Sequence, residues 1–164
     1  MEVESILREI LKFDCDLVEI TGGEPLLQLE ISELASRLID QGKQVLVETN
    51  GTKNIDVLPA PVIRIMDIKC PGSGESEKTD WENLSRLRPK DEVKFVISSR
   101  SDFDWSARIV NEYKLLSRAA VLFSPAFGIL EPNTLAQWIL ASSLPVRLQL
   151  QLHKYIWAPS LRGV

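Results

Sequence analysis

Histidine occurs once and cysteine twice in these 164 residues, and both scarcities close off chemistry. Cys15 and Cys70 stand far apart in the chain, so they form neither a disulfide framework nor a zinc-ligand spacing, and the pattern is that of a reducing, cytoplasmic compartment. With one histidine, a Ser-His-Asp relay has to use His153, and no serine stands in a G-x-S-x-G elbow. Basic residues are not in excess. Nineteen Lys and Arg face 23 Asp and Glu, a net charge of −4 with no basic cluster, which excludes broad binding to a nucleic-acid backbone. No apolar run approaches the roughly 18 residues of a membrane span. Residues 1–13 have neither the cationic start nor the long apolar centre of a signal peptide. Phosphate-loop, dinucleotide-fingerprint and H-E-x-x-H motifs are missing as well.

What is present describes one soluble α/β domain over residues 1–164. A content of 45% hydrophobic and 26% charged residues supports a real core. A chain of this length buries roughly 70% of its unfolded surface, enough to fold without staples. Val3, Ile6, Leu7, Ile10 and Leu11 fall on one face of a short first helix. Short β-branched runs at 16–21, 44–48, 62–69, 92–98, 119–123 and 146–152 read as strands. Helical spacing fills 30–40, 79–87, 102–116 and 131–141 between them. Such alternation gives parallel strands with right-handed crossovers, in either an open doubly wound sheet or a barrel.

The strand faces favour a partial barrel of about six mostly parallel strands with helices outside. In the last run Val146, Leu148, Leu150 and Leu152 alternate with Arg147, Gln149, Gln151 and His153, half polar where a doubly wound sheet is apolar on both faces. An edge strand with one wet face explains that run alone. It does not explain Glu19 and Thr21, Glu48, Asp67 and Lys69, and Lys94 and Ser98 in the other apolar runs, which a polar lumen accommodates. These groups sit toward the carboxyl ends of their strands, the rim where parallel α/β folds bind ligands. On charge alone, Lys69 and Lys94 are expected to balance Asp67 and Glu19 within that lumen.

Thr21-Gly22-Gly23-Glu24-Pro25 leaves the first strand there. Two glycines allow a sharp turn of positive φ and close approach of a ligand to the backbone, Glu24 adds an anionic acceptor, and Pro25 stiffens the exit. On physics alone this is either a ligand cradle for an ammonium or polar group, or an ordinary βα turn. The surrounding segment, Ile-Thr-Gly-Gly-Glu-Pro-Leu-Leu-Gln at 20–28, resembles a signature of radical S-adenosylmethionine enzymes. It is followed by Val-Glu-Thr-Asn-Gly-Thr at 47–52, Met-Asp-Ile-Lys-Cys-Pro-Gly-Ser-Gly-Glu at 66–75, Lys-Phe-Val-Ile at 94–97 and Phe-Ser-Pro-Ala-Phe-Gly at 123–128. The tail Gln-Leu-Gln-Leu-His-Lys-Tyr-Ile-Trp-Ala-Pro at 149–159 is the most specific part. In this order the segments resemble the 7-carboxy-7-deazaguanine synthase family of the queuosine pathway.

The resemblance implies a lyase that converts 6-carboxy-5,6,7,8-tetrahydropterin to 7-carboxy-7-deazaguanine and ammonia. It implies S-adenosyl-L-methionine cleaved by a reduced [4Fe-4S] cluster, a Mg2+ ion, a homodimer and an electron donor such as flavodoxin. By position, Gly22, Gly23, Glu24, Asp67, Ile68, Lys69, Ser124, Pro125, Ala126 and Phe127 would hold the cofactor. Thr21, Glu48, Gln151, His153 and the carboxyl-terminal Val164 would contact substrate. Asp67-Ile68-Lys69 departs from the Ser-Pro-Lys common in the family, matching only at Lys69. On the residues themselves, Glu48 could also cap its turn and His153 could be a satisfied barrel histidine.

One departure is larger. The family holds its cluster by three cysteines in a loop upstream of the Gly-Gly-Glu-Pro turn. Here only Cys15 precedes that turn, and no segment matches the cluster loop, the magnesium-binding threonine or the substrate-binding arginine. The expectation is a chain equivalent to the carboxyl-terminal two-thirds to three-quarters of a synthase, unable alone to hold the cluster. Alternatives are a non-catalytic chain that binds a ligand or partner, and an activase that makes a glycyl radical on a protein.

Overall fold

The computed structural model describes residues 2–158 and Leu161. Six strands, β1 (Leu17–Ile20), β2 (Gln44–Thr49), β3 (Ile63–Ile68), β4 (Glu92–Ile97), β5 (Ala120–Pro125) and β6 (Arg147–Leu148), form one sheet in sequential order. Every neighbouring pair is parallel. Each strand is added on the same side of its predecessor, so right-handed crossovers carry the helices to one face. A doubly wound sheet would instead reverse its order in the middle. The expected partial barrel is the observed architecture.

Register makes the two faces chemically distinct. The outer face presents Val47, Met66, Phe95, Ile97 and Phe123, all fully buried. Phe123 meets Phe95 and Phe103 edge-on at 5.6 Å between ring centroids, in the core beneath α4 (Arg100–Glu112) and α5 (Pro132–Ser142). A second cluster lies where α1 (Val3–Ile10) and α2 (Ile31–Asp40) cover β1 and β2, with Leu7 and Leu38 buried. Leu11, placed on the first helix's apolar face by its spacing, lies just past the helix and is exposed. The inner face carries Glu19, Glu48, Asp67, Lys94 and Ser124, one residue out of phase with that core along each strand.

Local chemistry sets the element ends, and in three places it overrides the expected bounds. The strand expected at 146–152 is only Arg147–Leu148. It is an edge strand with one partner, and Leu148 and Leu152 lie exposed instead of lining an apolar face. After the Gln149 N–H donates to the Phe123 carbonyl (2.9 Å), the chain turns into α6 (His153–Ile156). Thus Gln151 and His153 lie in a turn and a short helix, not on a strand end. The helix expected at 79–87 shrinks to α3 (Asn83–Arg86), because the Asp80 N–H is drawn to the Gly51 carbonyl at 2.9 Å. α4 starts two residues before its expected position: the Ser99 hydroxyl accepts from the Asp102 N–H at 3.2 Å, an N-cap the apolar spacing does not reveal. It ends where Lys114 adopts φ +51°.

Phe123→Ala removes the ring that joins two aromatic neighbours on the outer face. It is expected to cost about 3–5 kcal/mol, read as a lowered urea midpoint with an unchanged m-value.

Candidate functional site

The turn after β1 is built by two glycines and one buried carboxylate. Gly22 (φ +99°) and Gly23 (φ +36°) lie in the left-handed half of backbone space with open space beside each, so conformation rather than crowding requires glycine. Glu24 is buried and accepts three hydrogen bonds: from the Leu26 N–H at 3.0 Å, the Thr49 hydroxyl at 2.7 Å and the Asn50 N–H at 2.7 Å. Its carboxylate therefore caps the turn Pro25–Leu27 and ties the ends of β1 and β2 together. What this turn presents outward is Thr21 and the glycine backbone.

The next two rim loops are fixed in the same manner. Gly51 has φ +70°, and a Cβ there would run into the Met66 side chain. Buried Asn83 donates to the Gly51 carbonyl (3.1 Å) and the Lys53 carbonyl (2.8 Å) and accepts from the Ile55 N–H (3.2 Å). Buried Asp102 accepts from the Gly72 N–H (2.9 Å) and the Ser98 N–H (3.2 Å) and also receives the Ser98 hydroxyl. Ser98, expected in the lumen, is thus spent on joining the loop after β3 to the start of α4.

Inside the rim lies a cavity of about 540 Å3, walled by Thr21 and Gly22, by the inner face of the sheet, and by residues 149–153. Glu48 and Lys94 form an ion pair on its floor. Glu19, also on the floor, is beside Glu48 with its carboxyl within hydrogen-bonding reach. Burial, then the charge of Glu48, raise its pKa above the ordinary carboxylate value. Ser124 Oγ and Gln151 Oε1 are buried in the cavity wall without a hydrogen-bond partner, and Asp67 Oδ1 is buried and unpartnered at the end of β3. Asp67 Oδ2 receives Lys69 Nζ at 2.6 Å. A second hollow of about 430 Å3 lies on the other side of the same turn, between α1 and the start of α2, and shares Thr21 and Gly22.

Among the residues singled out from sequence, Thr21, Gly22, Glu48, Ser124, Gln151 and His153 converge on the polar cavity. Gly23 and Glu24 line the second hollow instead. Ile68 turns into the outer core, leaving only its backbone at the rim. Pro125 is buried, the Ala126 N–H donates to the Ile97 carbonyl at 2.8 Å, and Phe127 packs edge-on against Tyr155, 5.2 Å between centroids. Val164 falls outside the described residues. The expected charge balance is corrected at one point: Lys94 pairs with Glu48, not Glu19, which has no cationic partner among the described residues. Glu19 and Gln149 also line the cavity without having been singled out as contacts. The alternation of β1 placed Glu19 inward, and that was the available signal.

The cysteines sit on opposite rims. Cys15, before β1, is exposed, and its thiol donates to the Leu17 carbonyl at 3.4 Å. Cys70, after β3, is buried 3.3 Å from the Ser106 hydroxyl, and burial pushes its thiol up to about 12. Among the described residues no cluster of three or more His, Cys, Asp or Glu side chains could hold a metal ion, and no helix is long and apolar enough to cross a membrane.

Comparison with protein-family models finds no match. Among curated proteins, the chain is 41% identical to the 7-carboxy-7-deazaguanine synthase of Koribacter versatilis, across 100% of this chain and 79% of that protein. It is 43% identical to the 7-carboxy-7-deazaguanine synthase of Chlorobaculum tepidum, across 100% of this chain and 76% of that protein. Among solved structures, QueE from Escherichia coli shares the fold with a TM-score of 0.73, covering 92% of this chain and 64% of its own at 19% identity.

The rim geometry separates two glycines. Gly51→Ala adds a clash to an unfavourable φ and is expected to cost about 2–4 kcal/mol. Gly22→Ala, strained but uncrowded, costs about 1–2 kcal/mol. Thermal unfolding of the two variants side by side checks this, with Gly51→Ala melting lower.

Proposed function

The chain belongs to the 7-carboxy-7-deazaguanine synthase family, and from that membership we propose that its polar cavity is a pterin site. It serves the conversion of 6-carboxy-5,6,7,8-tetrahydropterin to 7-carboxy-7-deazaguanine with loss of ammonia, in queuosine biosynthesis. The observation that carries this reading is the pair of buried, unpartnered acceptors, Ser124 Oγ and Gln151 Oε1, facing a cavity floored by carboxylates. Each unmade buried hydrogen bond costs about 1–3 kcal/mol, so a ligand rich in N–H donors is what this cavity is shaped to take. A fused heterocycle bearing an amine and ring N–H groups meets that description, and the volume lies within the usual range for small-molecule sites.

Within the proposal, Glu48 accepts from the amine edge while its ion pair with Lys94 orients it. Thr21, Gln151 and His153 close around the ring. The Phe127–Tyr155 contact, with Lys154 Nζ 5.7 Å above the Phe127 ring, holds the tail turn against the loop after β5 and so fixes the wall carrying Gln151 and His153. S-adenosyl-L-methionine fits the adjoining part of the rim: the open backbone at Gly22 and Gly23, which borders the cavity, the free oxygen of Asp67 beside Lys69, and the stretch Pro125 to Phe127 that follows Ser124. Bound there, it would supply the hydrogen-abstracting chemistry of the family.

An iron–sulfur cluster does not fit the donor set. Three thiolates are needed from one loop, and the chain offers two cysteines on opposite rims, one of them buried with its thiol pushed up to about 12. Nor do the described residues offer a Mg2+ cage. The cluster, the Mg2+ ion, the homodimer and a flavodoxin-type electron donor remain part of the family reading and have no step assigned to this chain's residues. The same donor set favours a second reading, a chain that binds the pterin without turning it over.

Anaerobic reconstitution with iron and sulfide, followed by calorimetry with the carboxytetrahydropterin, tests both parts. Expected are no stable iron–sulfur absorbance and saturable pterin binding at about one per chain. About four irons retained per chain would overturn the donor-set reading, and absence of pterin binding would overturn the cavity assignment.

A further inference from the structure

The floor of the cavity holds more negative charge than its lysine neutralises. Glu48 on β2 and Lys94 on β4 face each other as an ion pair, both mostly shielded from solvent. Glu19, on the edge strand β1, reaches the same floor from the other side of Glu48 and has no cation of its own among the described residues. The remaining charged groups facing it are Glu92 on β4, whose carboxylate is engaged by Arg147, and, across the cavity mouth, His153. Burial and the neighbouring Glu48 carboxylate both penalise the ionised form of Glu19, so its pKa lies above the ordinary carboxylate value. A purely structural arrangement would have no need of the second carboxyl, since β1 buries its other face against the helices without it.

We propose that Glu19 is a specificity-determining residue, which with Glu48 forms a two-carboxyl receptor for adjacent N–H donors on one edge of the ligand. The proposal rests on the pterin reading of the cavity and deepens it. An exocyclic amine beside a ring N–H can satisfy both carboxylates at once, displacing the proton that Glu19 binds below its raised pKa. Binding therefore releases that proton to solvent. Because the free-state pKa of Glu19 is raised, the proton is bound below that pKa and must be displaced there, so affinity strengthens as pH rises through it and levels off above. A ligand with a single donor, or with an acceptor at that edge, does not displace the Glu19 proton and shows no such dependence.

The test uses the full chain and 6-carboxypterin as probe. Affinity and proton release are measured by calorimetry between pH 5 and 7.5, in paired buffers of different ionisation enthalpy. Wild type is expected to bind more tightly with rising pH and to release a fraction of a proton per ligand. Glu19→Gln, of the same size, is expected to bind about tenfold more weakly at pH 7, with proton release abolished and thermal unfolding unchanged. Retained affinity in Glu19→Gln, or weakened affinity with proton release intact, overturns the inference while leaving the pterin site standing. No binding by wild type overturns the pterin site and the inference together.

Discussion

A parallel sheet whose strands are laid down in sequential order has all its crossovers on one side, and the other side is left without helices. That constraint governs the molecule. The covered face is dense with Val, Ile, Met and Phe, because helices and strands must exclude water between them. The uncovered face cannot be treated the same way in a chain of this size, and it carries Glu19, Glu48, Asp67, Lys94 and Ser124 instead. The polarity that gives the cavity its chemistry is thus also what lets the open face coexist with solvent. Stability and site divide cleanly between the two faces of the same strands.

The rim is governed by three buried side chains that satisfy backbone groups left over at strand ends. Glu24 joins the β1 turn to the end of β2, Asn83 secures the loop after β2, and Asp102 secures the loop after β3 to the start of α4. Each meets its hydrogen-bonding demand within the protein. Among the described residues four buried side-chain atoms are left unmatched: Ser124 Oγ and Gln151 Oε1 in the cavity wall, Asp67 Oδ1 on the inner face, and Arg64 Nε on the same face of β3 as Met66. Buried groups without partners are costly, and two of these, Ser124 and Gln151, open onto the same cavity.

Most of the fold was legible in the sequence because two periodicities carry it. Alternation along β1 to β5 identified both the strands and the polar face, and helical spacing identified the outer layer. What was not legible was anything that depended on a partner from another segment. The last strand is short because it stands at an edge. The third helix is short because Asp80 belongs to Gly51. Lys94 chose Glu48 over Glu19 by strand order and register, which composition does not disclose. The site was legible as a set of strand ends, and its most specific features came from resemblance in the turn at 20–28 and the tail at 149–159. Glu24 looked like a ligand group and proves to be spent internally on the strand ends; no local signal distinguishes an acidic side chain that binds outward from one that binds its own backbone.

The contrast between the two cysteines has a practical side. Cys70 is held in a buried, strongly protonated state, while Cys15 lies exposed before β1, on the rim opposite the cavity. A thiol-directed fluorophore or spin label thus has one address on this molecule, and that address is remote from the cavity. The wild-type chain comes ready to be tethered to a surface or tagged for single-molecule work without first engineering its cysteines.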